Sequence, residues 1–172
     1  MRRSFGRYAH SQGGFTLIEV VIAAAIGLFV MSALTSVILT SVRASATASS
    51  RIEASGQIRN FEFFAYDDFA QSAVPNPSGC GTGVGDLCHG QPIALSGTYS
   101  VSYTWDGSAF LDRQLGSNVI HMATNVTDFS WYVDGSSLHP TVVISITVTI
   151  QASSDQPYSE SQTFRFYPRV NP

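Results

Sequence analysis

The hydrophobic rhythm of the chain changes twice. From Val20 to Leu39 there is no charged residue, and apolar side chains fall on every side of a helix. Twenty helical residues span about 30 Å, the thickness of a bilayer's hydrocarbon core. A buried helix of a globular domain would be shorter and would keep a polar face. The stretch "RASATASSRIEASGQ", Arg43 to Gln57, is small and polar, as suits a segment leaving lipid. Ile58, Phe61, Ala65 and Phe69 then recur at helical spacing, a stripe suited to packing on a sheet, and Phe63, Phe64 and Tyr66 broaden it. No proline interrupts residues 15 to 74. The pattern predicts one helix of about 59 residues, roughly 90 Å long, ending at Ala73. Pro75 and Pro77 stop it.

From Pro92 the period becomes two. Tyr99, Val101, Tyr103 and Trp105 alternate in "TYSVSYTW"; Phe129, Trp131 and Val133 do so in "DFSWYVDG". Val142, Ile144, Ile146, Val148 and Ile150 share one face of "TVVISITVTIQ", opposite Val143, Ser145, Thr147 and Thr149. Phe164 and Phe166 mark a last strand, and Asp106-Gly107 signals a hairpin. Consecutive turn-linked strands imply a mainly antiparallel sheet of about four to seven strands. The expected class is α+β: a long N-terminal helix, membrane-spanning in its first half, whose second half packs on an antiparallel β-sheet. Residues 15–40 form the membrane segment and 41–74 its continuation. Residues 75–91 make a Gly/Pro-rich link and 92–172 the sheet, with no second domain.

Charge is polarised along the sequence. Arg2, Arg3 and Arg7 precede the apolar run, where no acid stands, and six arginines face twelve acids beyond residue 14. Basic residues before a membrane segment imply a cytoplasmic N-terminus and an exported remainder. The weakly acidic body does not suggest a nucleic-acid surface. An exported body can keep a disulfide between Cys80 and Cys88, worth about 2–3 kcal/mol for so short a ring; two free thiols are the plainer alternative. A zinc site using both cysteines and His89 lacks a fourth ligand. His10, His121 and His139 are the other histidines, and no G-x-S-x-G elbow places a nucleophile beside one. Catalytic residues, metal ligands and cofactors are therefore not expected, and the protein reads as a non-enzyme. "NVT" at Asn125 matches a short glycosylation sequon.

A cleaved signal peptide is one rival to a permanent anchor, and "ASATAS" at Ala44 to Ser49 offers it a cut site. Its apolar core would far exceed the usual run of about 7–15 residues. It would also contain Glu19. A lone carboxylate near the centre of a membrane helix costs about 2.5–3.5 kcal/mol, and such groups usually have partners. Glu19 lies one helical turn after Phe15. A cut between Gly14 and Phe15 would create an α-amino cation at that distance, able to meet the carboxylate of a neighbouring subunit. The acid would then pin the register between subunits.

The segment "GGFTLIEVVIAAAIG", with its basic leader, resembles the N-terminus of the type IV pilin superfamily, which includes secretion and competence pseudopilins. The resemblance implies that a prepilin peptidase removes residues 1–14, cutting after Gly14, and methylates the amine of Phe15. It implies that Glu19 pairs with the amino terminus of an adjacent subunit during assembly. It also implies a pilin fold, a single pass through a bacterial inner membrane with the body in the periplasm, and later residence in a periplasmic or extracellular filament. The implied partners are prepilin peptidase, other pilin-like subunits, an inner-membrane assembly platform and membrane lipid. "RNFEFFAYDDFAQSA", the strand order that follows it and the absence of a proline mid-anchor are similar to J-type minor pseudopilins and W-type minor pilins. A structural filament subunit is the function so implied. A tip subunit for adhesion or DNA uptake is the alternative, and a plain tethered periplasmic domain a lesser one.

Overall fold

Among the described residues there is one helix, α1, at Leu17–Ala70, and the elements that follow it are strands. The computed structural model describes residues 14–77, 80, 87–135, 140–151 and 157–169. The strands are β1 (Cys88–His89), β2 (Ile93–Leu95), β3 (Val101–Trp105), β4 (Leu111–Leu115), β5 (Asn118–Ala123), β6 (Val126–Asp134), β7 (Thr141–Ile150) and β8 (Tyr158–Phe166). Every strand pair is antiparallel. The architecture is the expected pilin-like α+β plan. The strands form two sheets of four, in the orders β1-β6-β7-β8 and β2-β3-β4-β5, where the alternation had suggested one sheet of four to seven strands. The chain passes between the sheets twice, between β1 and β2 and again at Thr124-Asn125. Asn125 adopts a left-handed φ of 56°, and the next residue opens β6 in the other sheet. The protein divides into a unit ending at Val42 and a unit beginning at Arg43.

In the second unit the apolar stripe of α1 lies where its spacing placed it. Ile58, Phe61, Ala65 and Phe69 are buried, and the stripe extends back through Ala54 to Ser50. Phe61 meets Tyr103 of β3 edge-on at 5.6 Å and Phe164 of β8 at 5.7 Å. Phe69 stacks on Phe166 at 4.7 Å and on Tyr103 at 6.1 Å. Both sheets thus close over the same two helical rings. Such offset and edge-on pairs add about 0.5–1.5 kcal/mol each beyond their buried area. Phe63 and Tyr66 do not broaden this seam: they are 71% and 63% exposed. At 100° per residue, Phe63 sits about 200° round the helix from Phe61. Phe64 is half-buried beneath the Arg113 guanidinium, 5.5 Å from its ring centre.

Polar side chains flank the seam. The Asn60 amide donates to the Met122 carbonyl at 2.7 Å, and the Gln57 amide oxygen accepts from the Thr124 N–H at 3.1 Å. Ser55 donates to the Glu160 carboxylate at 2.9 Å. The helix ends at Ala70, three residues before the expected Ala73. There the backbone leaves the helix for the sheet: Ser72 bridges Gly97, and the Ala73 N–H donates to the Ser96 carbonyl at 2.7 Å. A Cβ on Gly97 would run into the Gln71 carbonyl oxygen and lie 2.9 Å from Ser72 Cα, so only glycine fits this approach. Asp106 shapes the β3–β4 turn by accepting the N–H groups of Ser108, Ala109 and Phe110 at 2.8–2.9 Å. The bonds from Ala109 and then Ser108 hold its carboxyl well below the usual carboxylate range.

A charged knot closes the outer end of the seam. Asp68 takes the Arg113 guanidinium in two bonds of 2.6 and 2.7 Å and also accepts the Tyr103 hydroxyl. The two charged side chains are only 10% and 11% exposed. Burial, followed by the hydrogen bond to Asp68, raises the Tyr103 hydroxyl far above its ordinary range. Arg113 is raised chiefly by its hydrogen bond to Asp68.

Arg113→Met leaves a nearly buried carboxylate without its cation and should destabilise the protein by about 3–5 kcal/mol. Adding Asp68→Asn should restore part of that loss. Urea unfolding of the detergent-solubilised protein, followed by tryptophan fluorescence, measures both. A second expectation concerns alkaline pH. Below the free tyrosine pKa of about 10 both states keep the Tyr103 proton; above it only the unfolded state releases it, so stability falls as pH rises. Tyr103→Phe should flatten that decline in unfolding midpoint between about pH 9 and 11.

Candidate functional site

Among the described residues, nothing packs on the helix surface of the N-terminal unit. All its large apolar side chains from Leu17 to Val42 are exposed, and none of the most apolar window of α1 is buried. A helix of that length and composition can cross a bilayer. Its few hydroxyls are suited to lipid. Ser32, Thr35, Ser36 and Thr40 each donate to a carbonyl three or four residues back, at 2.8–2.9 Å. Those bonds satisfy polar groups that hydrocarbon could not.

The start of α1 is built by Thr16. Its carbonyl accepts the N–H groups of Glu19 and Val20 at 3.1 and 3.2 Å, and its hydroxyl accepts the Glu19 N–H at 3.3 Å. Thr16 is therefore the N-cap and Glu19 the third helical residue, the spacing of a capping box. This places the acid in the first turn, at the positive end of the helix dipole. Gly14 has no neighbouring atoms that a Cβ would meet, and Phe15 is 81% exposed. The residues flanking the expected cut therefore lie open just outside the helix. The cap is absent from the sequence-based expectation, although T-x-x-E at residues 16–19 is its signal.

Cys80 and Cys88 are joined in a disulfide with Cα atoms 4.9 Å apart. Cys88 is buried in β1 opposite Trp131, and Trp131 donates its indole N–H to the Gln91 carbonyl at 3.0 Å. The bridge thus ties Cys80 to the edge of the first sheet.

Two histidines have acidic partners on the surface: His89 Nε2 lies 2.6 Å from Asp128, and His121 Nδ1 lies 2.5 Å from Asp112. His121 is a strand residue in β5, and His89 precedes the turn at Gly90. His10 and His139 lie outside the described residues. Among the described residues, no group of three or more histidine, cysteine or acidic side chains could hold a metal ion.

Residues 9–35 match the model of the prokaryotic N-terminal methylation motif. The match spans Gly14, Phe15, Thr16, Glu19 and the first part of the exposed apolar helix. The matched segment fits the N-terminal signal of type IV pilins and pseudopilins. No curated protein and no solved structure matches the sequence.

Proposed function

We propose that the protein is a pilin-like structural subunit, cut between Gly14 and Phe15, methylated on the new amine, and assembled into a filament through α1. The observation that carries this reading is the methylation motif lying on an apolar helix that none of the described residues covers. The helix is held by lipid before assembly and by the helices of other subunits afterwards. The Glu19 carboxylate meets the Phe15 amine of an adjacent subunit and fixes axial position. A pair of this kind specifies register more than it adds stability. The strand order and the proline-free anchor favour a minor subunit of the J or W type. The body would face the periplasm of a bacterial inner membrane, because Arg2, Arg3 and Arg7 precede the span.

Intact mass of the mature protein tests the processing step. It should correspond to a polypeptide beginning at Phe15 with one added methyl group; a start beyond the apolar segment would make it an ordinary signal peptide. Variants then separate the two roles open to Glu19. Glu19→Ala and Glu19→Gln should insert and be processed, yet leave this subunit largely missing from sheared filaments. Thr16→Ala weakens the cap by about 1 kcal/mol but keeps the acid, and should assemble. Normal incorporation of Glu19→Ala would rule the intersubunit pair out.

A further inference from the structure

Beside the last turn of α1 lies a cleft whose side chains neither the anchor nor the core requires. It encloses about 120 Å³ between Tyr66 and Phe69 of the helix and Arg165, Phe166, Tyr167 and Arg169 of the final strand and its extension. The stacked, buried rings of Phe69 and Phe166 form its floor. Tyr66, Tyr167 and the two arginines are exposed or half-exposed around it. Arg165 is exposed on β8 between Phe164 and Phe166, which turn to the core, and Tyr167 and Arg169 follow just beyond the strand.

Among the described residues, the Arg169 guanidinium and the Tyr66 and Tyr167 hydroxyls make no hydrogen bond or ion pair. Arg165 reaches only the exposed Asp134, at 3.4 Å. Beyond residue 14 the sequence has six arginines against twelve acids, and two of the six meet at this one cleft. A local cation pair in an acidic body selects a small anion over a long polyanion, which the rest of the surface repels. The cleft is also too small for more than one side-chain head or polypeptide end.

We infer that this cleft binds a carboxylate presented by another polypeptide. The two guanidinium groups supply charge-assisted hydrogen bonds to it. The tyrosine rings pack against the atoms that carry it, and their hydroxyls remain wetted. The C-terminus of a polypeptide and an aspartate or glutamate side chain share this chemistry. The competing account is internal: the last turn of α1 contains no basic residue, and the arginines could serve only to offset its negative end.

The test uses the full-length protein in detergent micelles and fluorescence anisotropy with short labelled peptides of one serine-tyrosine background. One peptide carries internal glutamates and an amidated end, one is otherwise neutral with a free C-terminal carboxylate, and one is neutral and amidated. Oligothymidylate is the polyanion control. One of the two charged peptides should bind at least about tenfold more tightly than the neutral one, and which one names the source of the carboxylate. Arg169→Gln should remove that preference with an unchanged melting temperature, and added salt should weaken it. Arg165→Gln and Tyr167→Ser provide independent variants. Equal binding of charged and neutral peptides would overturn the inference, as would oligothymidylate binding as tightly as the acidic peptide. Arginine variants that lower the melting temperature while leaving affinity intact would assign the pair to the helix end.

Discussion

An uncharged helix surface about twenty residues long must be covered by something other than water, and none of the described residues covers it. That constraint governs the first unit. It explains why the hydroxyls of Ser32, Thr35, Ser36 and Thr40 fold back onto carbonyls. It explains why the single acid stands in the first turn, where cap and dipole both favour it. Cover from lipid and cover from neighbouring helices satisfy the same surface, so such a segment suits the proposed double role of anchor and filament core.

Beyond Val42 the same helix is solved differently. It buries one stripe and leaves the rest wet. Two phenylalanines gather rings from both sheets, and polar side chains on either flank reach backbone groups near Met122 and Thr124 or the carboxylate of Glu160. The helix therefore joins two sheets that share no strand pairing with each other. At its outer end the charge of Asp68 is fully met by Arg113 and Tyr103, and no buried side-chain polar atom among the described residues lacks a partner.

How much of this was legible follows from the range of each interaction. The stripe of Ile58, Phe61, Ala65 and Phe69 and the alternation of β7 can be read directly, because burial on one face imposes a period. Glu19 stands out because an acid in an apolar run violates the pattern. Phe63 and Tyr66 have the composition of core residues but not the angular position, and position decides which rings the sheets can reach. The split into two sheets is hidden because β1 pairs with the distant β6 and not with its neighbour β2, and no local pattern announces that. β1 and β2 are too short to show any period. The partners of Asp68 lie 35 and 45 positions away, a separation at which sequence pattern carries no pairing information.

The contacts between α1 and β8 advance in step: Arg51 with Tyr158, Ser55 with Glu160, Phe61 with Phe164, Phe69 with Phe166. Helix and strand therefore run the same way. Tension entering the body along α1 meets these contacts side by side, in shear, so that they share the load rather than peeling open one after another. A body attached in this manner is mechanically stronger along its own helix than in any direction that lifts the helix from the sheets.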